Sequence, residues 1–186
     1  MVEIRSLELA DIPMLIKYWY HSPPGFIESI GVDPTKLGSP VEFEAFMRGR
    51  LELPDEKRAG VAILYNGEPV GQHSINPLVE GDHGIFHAHI WNSAHRGKGI
   101  GLQSYVLASH LFMNRFNLKR IVYKTPKQNT ASIRVKEKLG MRFIGEEEIG
   151  HGLVKAGTIA KVFEVTRDEL AEMFANRVKF PGYCTH

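Results

Sequence analysis

The chain has 186 residues, of which 43% are hydrophobic and 24% charged, and its single cysteine is Cys184. This length can bury a substantial core without a disulfide or a structural metal, so we expect one domain spanning residues 1–186. A lone cysteine excludes an intramolecular disulfide and fits a reducing compartment, which predicts a cytoplasmic protein. Apolar runs fall short of the roughly 18 residues of a membrane span, and the start lacks a secretory signal, so no membrane partner is expected.

Charge is distributed unevenly along the chain. Residues 96–142 contain eleven Lys or Arg side chains and one acidic residue, Glu137, whereas the remainder has twelve basic and twenty acidic residues. A segment of net charge +10 favours a polyanionic partner, either a phosphate-bearing cofactor or a nucleic acid. The alternative is a solvated basic surface that binds nothing.

The N-terminal part of the chain is predicted to be mainly helical. Val2–Leu7 alternates like a strand, and Glu8–Tyr20 carries apolar residues at helical spacing. His21–Pro40 is rich in proline and glycine, which predicts an irregular excursion. Val41–Leu53 is predicted as a second amphipathic helix, with these residues on its apolar side: Phe43, Phe46, Met47 and Leu51.

The rest of the chain alternates between strands and helices, which predicts an α/β fold. Asn66-Gly67 is a strong hairpin signal, Asn129 is a candidate helix N-cap, and Gly140 is a candidate helix stop. The predicted strands are Val61–Tyr65, Val70–Ile75, Ile85–Trp91, Lys119–Thr125, Arg142–Glu146 and Ile159–Val165. The predicted helices are Gly99–Phe116, Thr130–Leu139 and Asp168–Ala175.

A glycine-rich loop lies between a predicted strand and the long helix. It reads Arg96-Gly97-Lys98-Gly99-Ile100-Gly101. Free backbone N–H groups and the helix dipole make such a junction an anion site, and glycines let the backbone approach a phosphate. Gly99 after Lys98 excludes a P-loop, and Leu102 occupies the place of the third glycine of a dinucleotide fingerprint. A simple tight turn remains the alternative.

The same loop resembles a known family. Residues 96–101 fit the Arg/Gln-x-x-Gly-x-Gly/Ala signature of the GNAT superfamily of acyl-CoA-dependent N-acetyltransferases. Residues 129–134 and 137–141 are similar to that family's second cofactor motif. The resemblance covers about residues 61–165, with residues 8–55 as a helical region on the acceptor side. The amino-acid sequence around Gly140 is most similar to that of the branch that acetylates protein N-termini, including those of ribosomal proteins.

The resemblance implies a fold and a cofactor site. The fold would be a mixed, mostly antiparallel twisted sheet of six to seven strands, with helices on both faces. Its two central strands, Ile85–Trp91 and Lys119–Thr125, would splay to admit acetyl-CoA as co-substrate, with no metal. The implied cofactor-binding residues are Ile90 and Trp91 along the acyl arm, Arg96, Gly97, Lys98, Gly99, Ile100 and Gly101 around the pyrophosphate, and Asn129 and Ser132 along the pantetheine.

Acyl transfer requires a neutral amine, so a base near the acyl carbon is useful. His87 and His89 share one face of their predicted strand, and imidazole titrates in the suitable range. His87 lies nine positions before Arg96, where some family members place a base. One alternative to a catalytic role is that both histidines are structural, with their hydrogen bonds satisfied on a polar face of the sheet. A zinc site is another, but it has no evident third ligand beyond His83 or His95.

The resemblance fails at one position. Many family members have a tyrosine seven residues after the motif asparagine, and it protonates the leaving thiolate; here that position is Lys136. Neither Tyr105 nor Tyr123 can be promoted to this role from the sequence. Solvent can suffice, because a thiolate with a pKa near 8.5 is a fair leaving group.

The sequence therefore predicts transfer of acetyl from acetyl-CoA to the primary amine of a small molecule, peptide or protein, by direct attack. Cys184 lies outside every motif, so no covalent enzyme intermediate is expected. The rivals are a non-catalytic acyl-CoA-binding module and, less favoured, a nucleic-acid-binding protein, because aromatics interleave poorly with the basic residues. A homodimer is compatible with such a fold. Aromatic and polar residues that could face the acceptor are Tyr18, Trp19, Tyr20, His21, Phe26 and Glu28.

Overall fold

A computed structural model describes residues 1–91, 93–150 and 152–175; Cys184 lies outside these ranges. Seven strands form one sheet in the order β1-β2-β3-β4-β5-β7-β6. The sheet is mixed and mostly antiparallel, which confirms the predicted fold class. The strands are β1 Val2–Ser6, β2 Gly60–Tyr65, β3 Glu68–Val79, β4 His83–Ile90, β5 Arg120–Pro126, β6 Arg142–Ile149 and β7 Thr158–Thr166.

The two central strands separate along their length. β4 and β5 form the parallel pair of the sheet, with partners His83 and Arg120, Gly84 and Ile121, and Ile85 and Val122. Beyond these three pairs the strands continue to Ile90 and Pro126 without pairing to each other. A cleft therefore opens between them, as the resemblance implied; we call it the β4–β5 cleft.

Helices cover both faces of the sheet, as expected. Their bounds are α1 Ile12–Tyr20, α2 Phe26–Ser29, α3 Pro40–Leu51, α4 Ile100–Arg115, α5 Thr130–Lys138 and α6 Arg167–Ala175. One core cluster joins the sheet to the helices that follow β4, through residues such as Phe86, Phe112 and Leu170. A second cluster joins the opposite face to the first three helices, through Ala62, Leu15 and Trp19. The strand alternation sends Val61 to the first cluster and Ala62 to the second.

Local sequence signals explain where several elements begin and end. Asn66 and Gly67 have φ angles of 53° and 83°, as the predicted hairpin requires. The first predicted helix is divided, because Leu9–Asp11 forms a 3₁₀ turn before α1 begins with Pro13 in its first turn. The predicted apolar side of α3 is wrong at Phe46, which is 61% exposed. That helix contacts α1 rather than the sheet, so few of its side chains can be buried.

Two strands are longer than predicted. β3 continues past Ile75 through an irregularity that contains the cis peptide Asn76–Pro77. β6 extends to Ile149, because it pairs with β7 along its full length. Within the described ranges, every helix is too short or too polar to cross a lipid bilayer.

Candidate active site

The glycine loop leads directly into α4. Gly99 is the N-cap of this helix, and both Gly97 and Gly99 have a φ angle of 77°. A Cβ added at either position would meet nothing within 4 Å, so these glycines are needed for their backbone conformation rather than for packing. The loop thus presents an open surface at a helix N-terminus, where first-turn amides lack intrahelical acceptors. This geometry can hold an anion.

The structure gives Arg96 further contacts besides the predicted phosphate. Its guanidinium lies 4.4 Å from the centroid of the Phe26 ring and donates to the carbonyl of Ile90 at 3.3 Å. The Trp91 amide donates to the carbonyl of Val70 at 2.9 Å, so this amide is not free for an acyl arm. Arg96 therefore joins the glycine loop to both α2 and the end of β4.

The start of α5 is built as the sequence predicts. The Asn129 side-chain oxygen accepts a hydrogen bond from the Ser132 amide at 3.2 Å, which confirms Asn129 as the N-cap. Gly140 has a φ angle of 69° and follows the end of the helix, as predicted. The cap fixes Ser132 in the first turn of α5, with its side chain partly buried.

His87 lies on β4 with one ring nitrogen engaged. Its Nε2 is 2.6 Å from the carbonyl oxygen of Asn76. Since a carbonyl only accepts, Nε2 carries the hydrogen and Nδ1 keeps its lone pair. Displacement of water by surrounding protein lowers the pKa of His87, and the charge of Lys136 lowers it further. The hydrogen bond to Asn76 has the opposite effect and raises this pKa. His87 is therefore a neutral imidazole with an available acceptor nitrogen, although its ring is exposed at the surface of the cleft.

His89 lies two residues along and is held by different neighbours. Its Nδ1 is 3.0 Å from the Tyr18 hydroxyl, and its ring packs edge to face with Trp19 at 4.8 Å. Burial, with a smaller effect of His87, lowers the pKa of His89 to about 3. Alternation placed both histidines on one face, but only the neighbouring elements distinguish them. His89 is held by α1, whereas His87 is held by the irregular end of β3.

Sequence reasoning missed the group opposite these histidines. Lys136 is only 2% exposed. Its Nζ donates to the Tyr105 hydroxyl at 3.0 Å and to the Ser132 hydroxyl at 2.6 Å. The available signal was its position four residues after Ser132, one turn along the same face of α5. We call the set Tyr105, Ser132 and Lys136 the hydroxyl–ammonium cluster.

Much of the basic segment is neutralised inside the fold. Several of its members form ion pairs with carboxylates outside the segment: Arg115, Arg120, Lys124, Lys127 and Arg142. Lys98, in the glycine loop, is exposed and forms no ion pair within the described residues. The positive charge left for a ligand is therefore more local than the sequence suggests, and it includes the glycine loop.

The metal alternative receives no support from the described parts of the chain. They contain no group of three or more His, Cys, Asp or Glu side chains arranged to hold an ion. His83, a candidate third ligand, instead lies 2.8 Å from Asp82 through its Nδ1.

Comparison with known proteins identifies a family that matches most of the chain. Residues 2–142 match the profile of the family described as acetyltransferase (GNAT) domain. Residues 96–101 and 129–134, which carried the resemblance, both lie inside this match. No curated protein sequence matches significantly.

Solved structures share the fold at low sequence identity. Mycobacterium smegmatis RimJ in complex with CoA-disulfide is 16% identical, with a TM-score of 0.72 and coverage of 96% of this chain and 90% of that one. RimL, a ribosomal L7/L12 alpha-N-protein acetyltransferase in complex with coenzyme A, is 18% identical, with a TM-score of 0.73 and coverage of 90% and 95%. A chimera of the Vibrio cholerae spermidine N-acetyltransferase SpeG is 15% identical, with a TM-score of 0.72 and coverage of 91% and 98%.

Proposed function

Because the chain belongs to the GNAT family of acetyltransferases, we propose that it transfers an acetyl group from acetyl-CoA to a primary amine by direct attack, with His87 as proton acceptor. The observation that carries this proposal is the available Nδ1 of His87 on the wall of the β4–β5 cleft, fixed by the hydrogen bond to Asn76. The glycine loop follows β4 after the 3₁₀ turn Ser93–His95 and would border this cleft.

The residues present fit a CoA-type ligand. Gly97 and Gly99 leave open surface at the N-terminus of α4, and exposed Lys98, which has no ion-pair partner among the described residues, adds a positive charge beside it. The backbone amides of residues 96–101 would hold a pyrophosphate, while Asn129 and Ser132 would border the pantetheine. Acetyl-CoA, when bound, would supply an activated acetyl thioester. Ile90 and Trp91 are proposed to lie along the acyl arm, although the Trp91 amide itself is engaged by the Val70 carbonyl.

His87 suits the proton transfer that amide formation requires. A neutral amine becomes strongly acidic once its nitrogen attacks a carbonyl carbon, so a weak base suffices at that moment. The lowered pKa keeps His87 unprotonated near neutral pH and ready to accept. His89 has a pKa of about 3 and its Nδ1 is engaged by Tyr18, so we assign it the positioning of α1 rather than proton transfer.

The acceptor is proposed to enter from the side of α1 and α2. Tyr18, Trp19 and Phe26 form an aromatic group there, in contact with His89 and Arg96. RimL is named for acetylating a protein N-terminus and SpeG for acetylating spermidine. Both names support an amine acceptor, of a protein or of a small molecule. A homodimer is a separate proposal, which light scattering in solution tests.

Isothermal titration with acetyl-CoA tests the cofactor site. Gly99→Ala would place a Cβ on the phosphate-binding surface, and we expect it to weaken binding at least about tenfold, the equivalent of one lost hydrogen bond. Gly81→Ala is the matched control, because Gly81 has the same φ of 77° and equally open surroundings at the turn between β3 and β4. Absence of binding by the folded wild type at millimolar acetyl-CoA would contradict the proposal.

A screen of amine acceptors then separates an enzyme from a non-catalytic binding module. The screen measures release of free CoA thiol with a polyamine, an aminoglycoside and peptides with free N-termini. Turnover of one class that is lost in His87→Gln, with acetyl-CoA affinity retained, supports catalysis. Tight acetyl-CoA binding with no turnover of any class favours the binding module.

A further inference from the structure

Lys136 is a buried lysine that forms no ion pair with any carboxylate of the described residues. Its side chain is 2% exposed, and its hydrogen-bond partners are the hydroxyls of Tyr105 and Ser132 and, at 3.3 Å, the Ser132 carbonyl. The rings of Tyr105 and Tyr123 lie 4.8 Å and 5.9 Å from the ammonium. Burying an ammonium against neutral partners is costly, and a packed apolar side chain of similar size would be expected to stabilise the fold. A structural role alone therefore explains Lys136 poorly.

A count of protons shows what the cluster can donate. An ammonium has three protons and accepts none, so the Tyr105 and Ser132 hydroxyls both accept from Lys136. These hydroxyl oxygens are 3.3 Å apart, so one of them donates to the other. One hydroxyl proton is left without an acceptor inside the cluster. The cluster thus holds a single spare O–H donor, polarised by an adjacent positive charge.

The cluster lies beside the point where β4 and β5 separate, because the Tyr105 ring packs at 5.1 Å against Phe86 of β4 and at 6.0 Å against Tyr123 of β5, the residues just beyond the last pair of the two strands. Ser132 is in the first turn of α5, and Tyr105 lies in α4, which begins directly after the glycine loop. Lys136 also contributes to the lowered pKa values of His73 and His87, on β3 and β4, so its charge reaches the base across the cleft. The cluster therefore borders the β4–β5 cleft from the face of α4 and α5, and its charge reaches His87 on β4.

Two kinds of anion could interact with the buried ammonium of Lys136. One is a carboxylate carried permanently by the acyl group of a donor. The other is a sulfur that becomes negative only while the acyl group leaves. All three ammonium protons already have acceptors, so none is left for a permanent carboxylate, whereas the spare hydroxyl proton suits a sulfur. The observations favour the transient anion.

Resting on the proposed function, we propose that Lys136 is a positioning residue whose charge polarises the Tyr105–Ser132 hydroxyl pair, and that this pair protonates the CoA sulfur as the acyl group leaves. The electron pair of the breaking C–S bond goes to sulfur, which takes the spare hydroxyl proton. The hydroxyl oxygen recovers a proton from the Lys136 ammonium, and Lys136 recovers one from solvent. The proton removed from the amine leaves through His87, so one amide and one thiol form without any other reactant.

Binding measurements test the proposal without turnover. Titrations compare CoA with desulfo-CoA, which lacks the thiol, between about pH 6 and 9, a range that brackets the thiol pKa of about 8.5. Wild type should prefer CoA over desulfo-CoA increasingly as pH rises, by about tenfold, because the cluster stabilises the thiolate. Lys136→Met should lose this pH-dependent preference. Lys138→Met, an exposed lysine two residues along the same helix, should keep it.

The outcomes separate this proposal from the function on which it rests. Binding of neither ligand by wild type overturns both. Binding of both with the same pH dependence, or a preference that survives in Lys136→Met, overturns the role of the cluster alone. Lys136→Met removes a buried charge and keeps most of the length of the side chain, so it should fold, which its thermal melting curve verifies.

A kinetic measurement adds a second readout. In Lys136→Met we expect kcat to fall by about 100-fold, in the range of a lost general acid, with KM for acetyl-CoA unchanged. Lys136→Arg, which keeps the charge, should recover part of kcat. An equal loss in the arginine and methionine variants, or a change confined to KM, would contradict the proposal.

Discussion

The two walls of the β4–β5 cleft treat polar groups in opposite ways. On the α5 wall, Lys136 is buried, and its partners are two hydroxyls and a carbonyl. On the β4 wall, displacement of water by surrounding protein lowers the pKa of His87 and burial lowers the pKa of His89, so both imidazoles are neutral near pH 7. A protonated His87 would be repelled by Lys136, and the charge of Lys136 lowers the pKa of His87 accordingly. The difference teaches that one wall is suited to donating a proton and the other to accepting one.

The largest expected effect comes from removing the acceptor on the β4 wall. His87→Gln should lower kcat/KM by about 100-fold, because glutamine cannot take a proton from the amine. His89→Gln, on the same face of the same strand, should cost less than about tenfold, since His89 already engages Tyr18. Initial rates over a range of amine concentrations measure both. Equal losses in the two variants would mean that the walls are not divided as described.

A third imidazole, that of His73, lies in the core against the rings of Phe86 and Tyr105. His73 is fully buried, donates or accepts at 2.9 Å with the Ser104 hydroxyl, and burial lowers its pKa from 6.5 to about 3. The unfolded chain therefore binds a proton below about pH 6.5 that the folded chain does not bind. Stability should be retained above this pH and fall below it, with His73 contributing about 1.4 kcal/mol per pH unit.

Urea unfolding between about pH 6.5 and 4 measures this slope. His73→Gln should reduce it, because glutamine can still bond Ser104 but does not titrate. His21→Gln, at an exposed position, is the control and should leave the slope unchanged. A slope unaffected by His73→Gln would show that another group controls acid sensitivity.

The α5 wall can be weakened at its first residue. Asn129→Ala removes the bond from the Asn129 side chain to the Ser132 amide and should cost about 1 kcal/mol of unfolding free energy. Thr130→Ala, exposed in the same turn, should change stability by less than about 0.5 kcal/mol. Denaturant midpoints of the two variants measure the difference. Indistinguishable midpoints would mean that the cap does not hold this wall.

The smallest effect tests the coupling between the walls. Lys136→Met should raise the pKa of His87, because it removes a positive charge that now lowers it. The acidic limb of the kcat/KM profile should then move to higher pH. NMR titration of the His87 ring protons measures the same shift without substrate, and Lys138→Met should produce none. A downward shift would contradict the electrostatic account.

Features encoded by neighbouring residues were predictable from the sequence. The glycine loop, the Asn129 cap and the Gly140 stop depend on backbone conformation within a few positions, and the structure has each of them. The succession of strands and helices along the chain followed from the same local signals, and the separation of the two central strands followed from the resemblance. The residues between these motifs are where prediction was harder.

Features set by distant contacts could not be predicted. Alternation made His87 and His89 equivalent, yet Asn76 and Tyr18 hold them differently. Lys136 was noticed only as a missing tyrosine, because its burial depends on Tyr105 of another helix. Phe46 was expected to be buried, but exposure was decided by where α3 packs rather than by its periodicity.

The short junction between β4 and β5 also has a consequence for folding. β1 apart, the first half of the sheet is a meander of β2, β3 and β4 joined by tight turns, so its contacts are local. The second half joins it through three residue pairs that lie across the whole of α4. Closing this long loop costs chain entropy, and only a few hydrogen bonds between the two strands offset that cost. The junction of β4 and β5, which leaves room for a ligand, is thus expected to form late in the folding of the sheet.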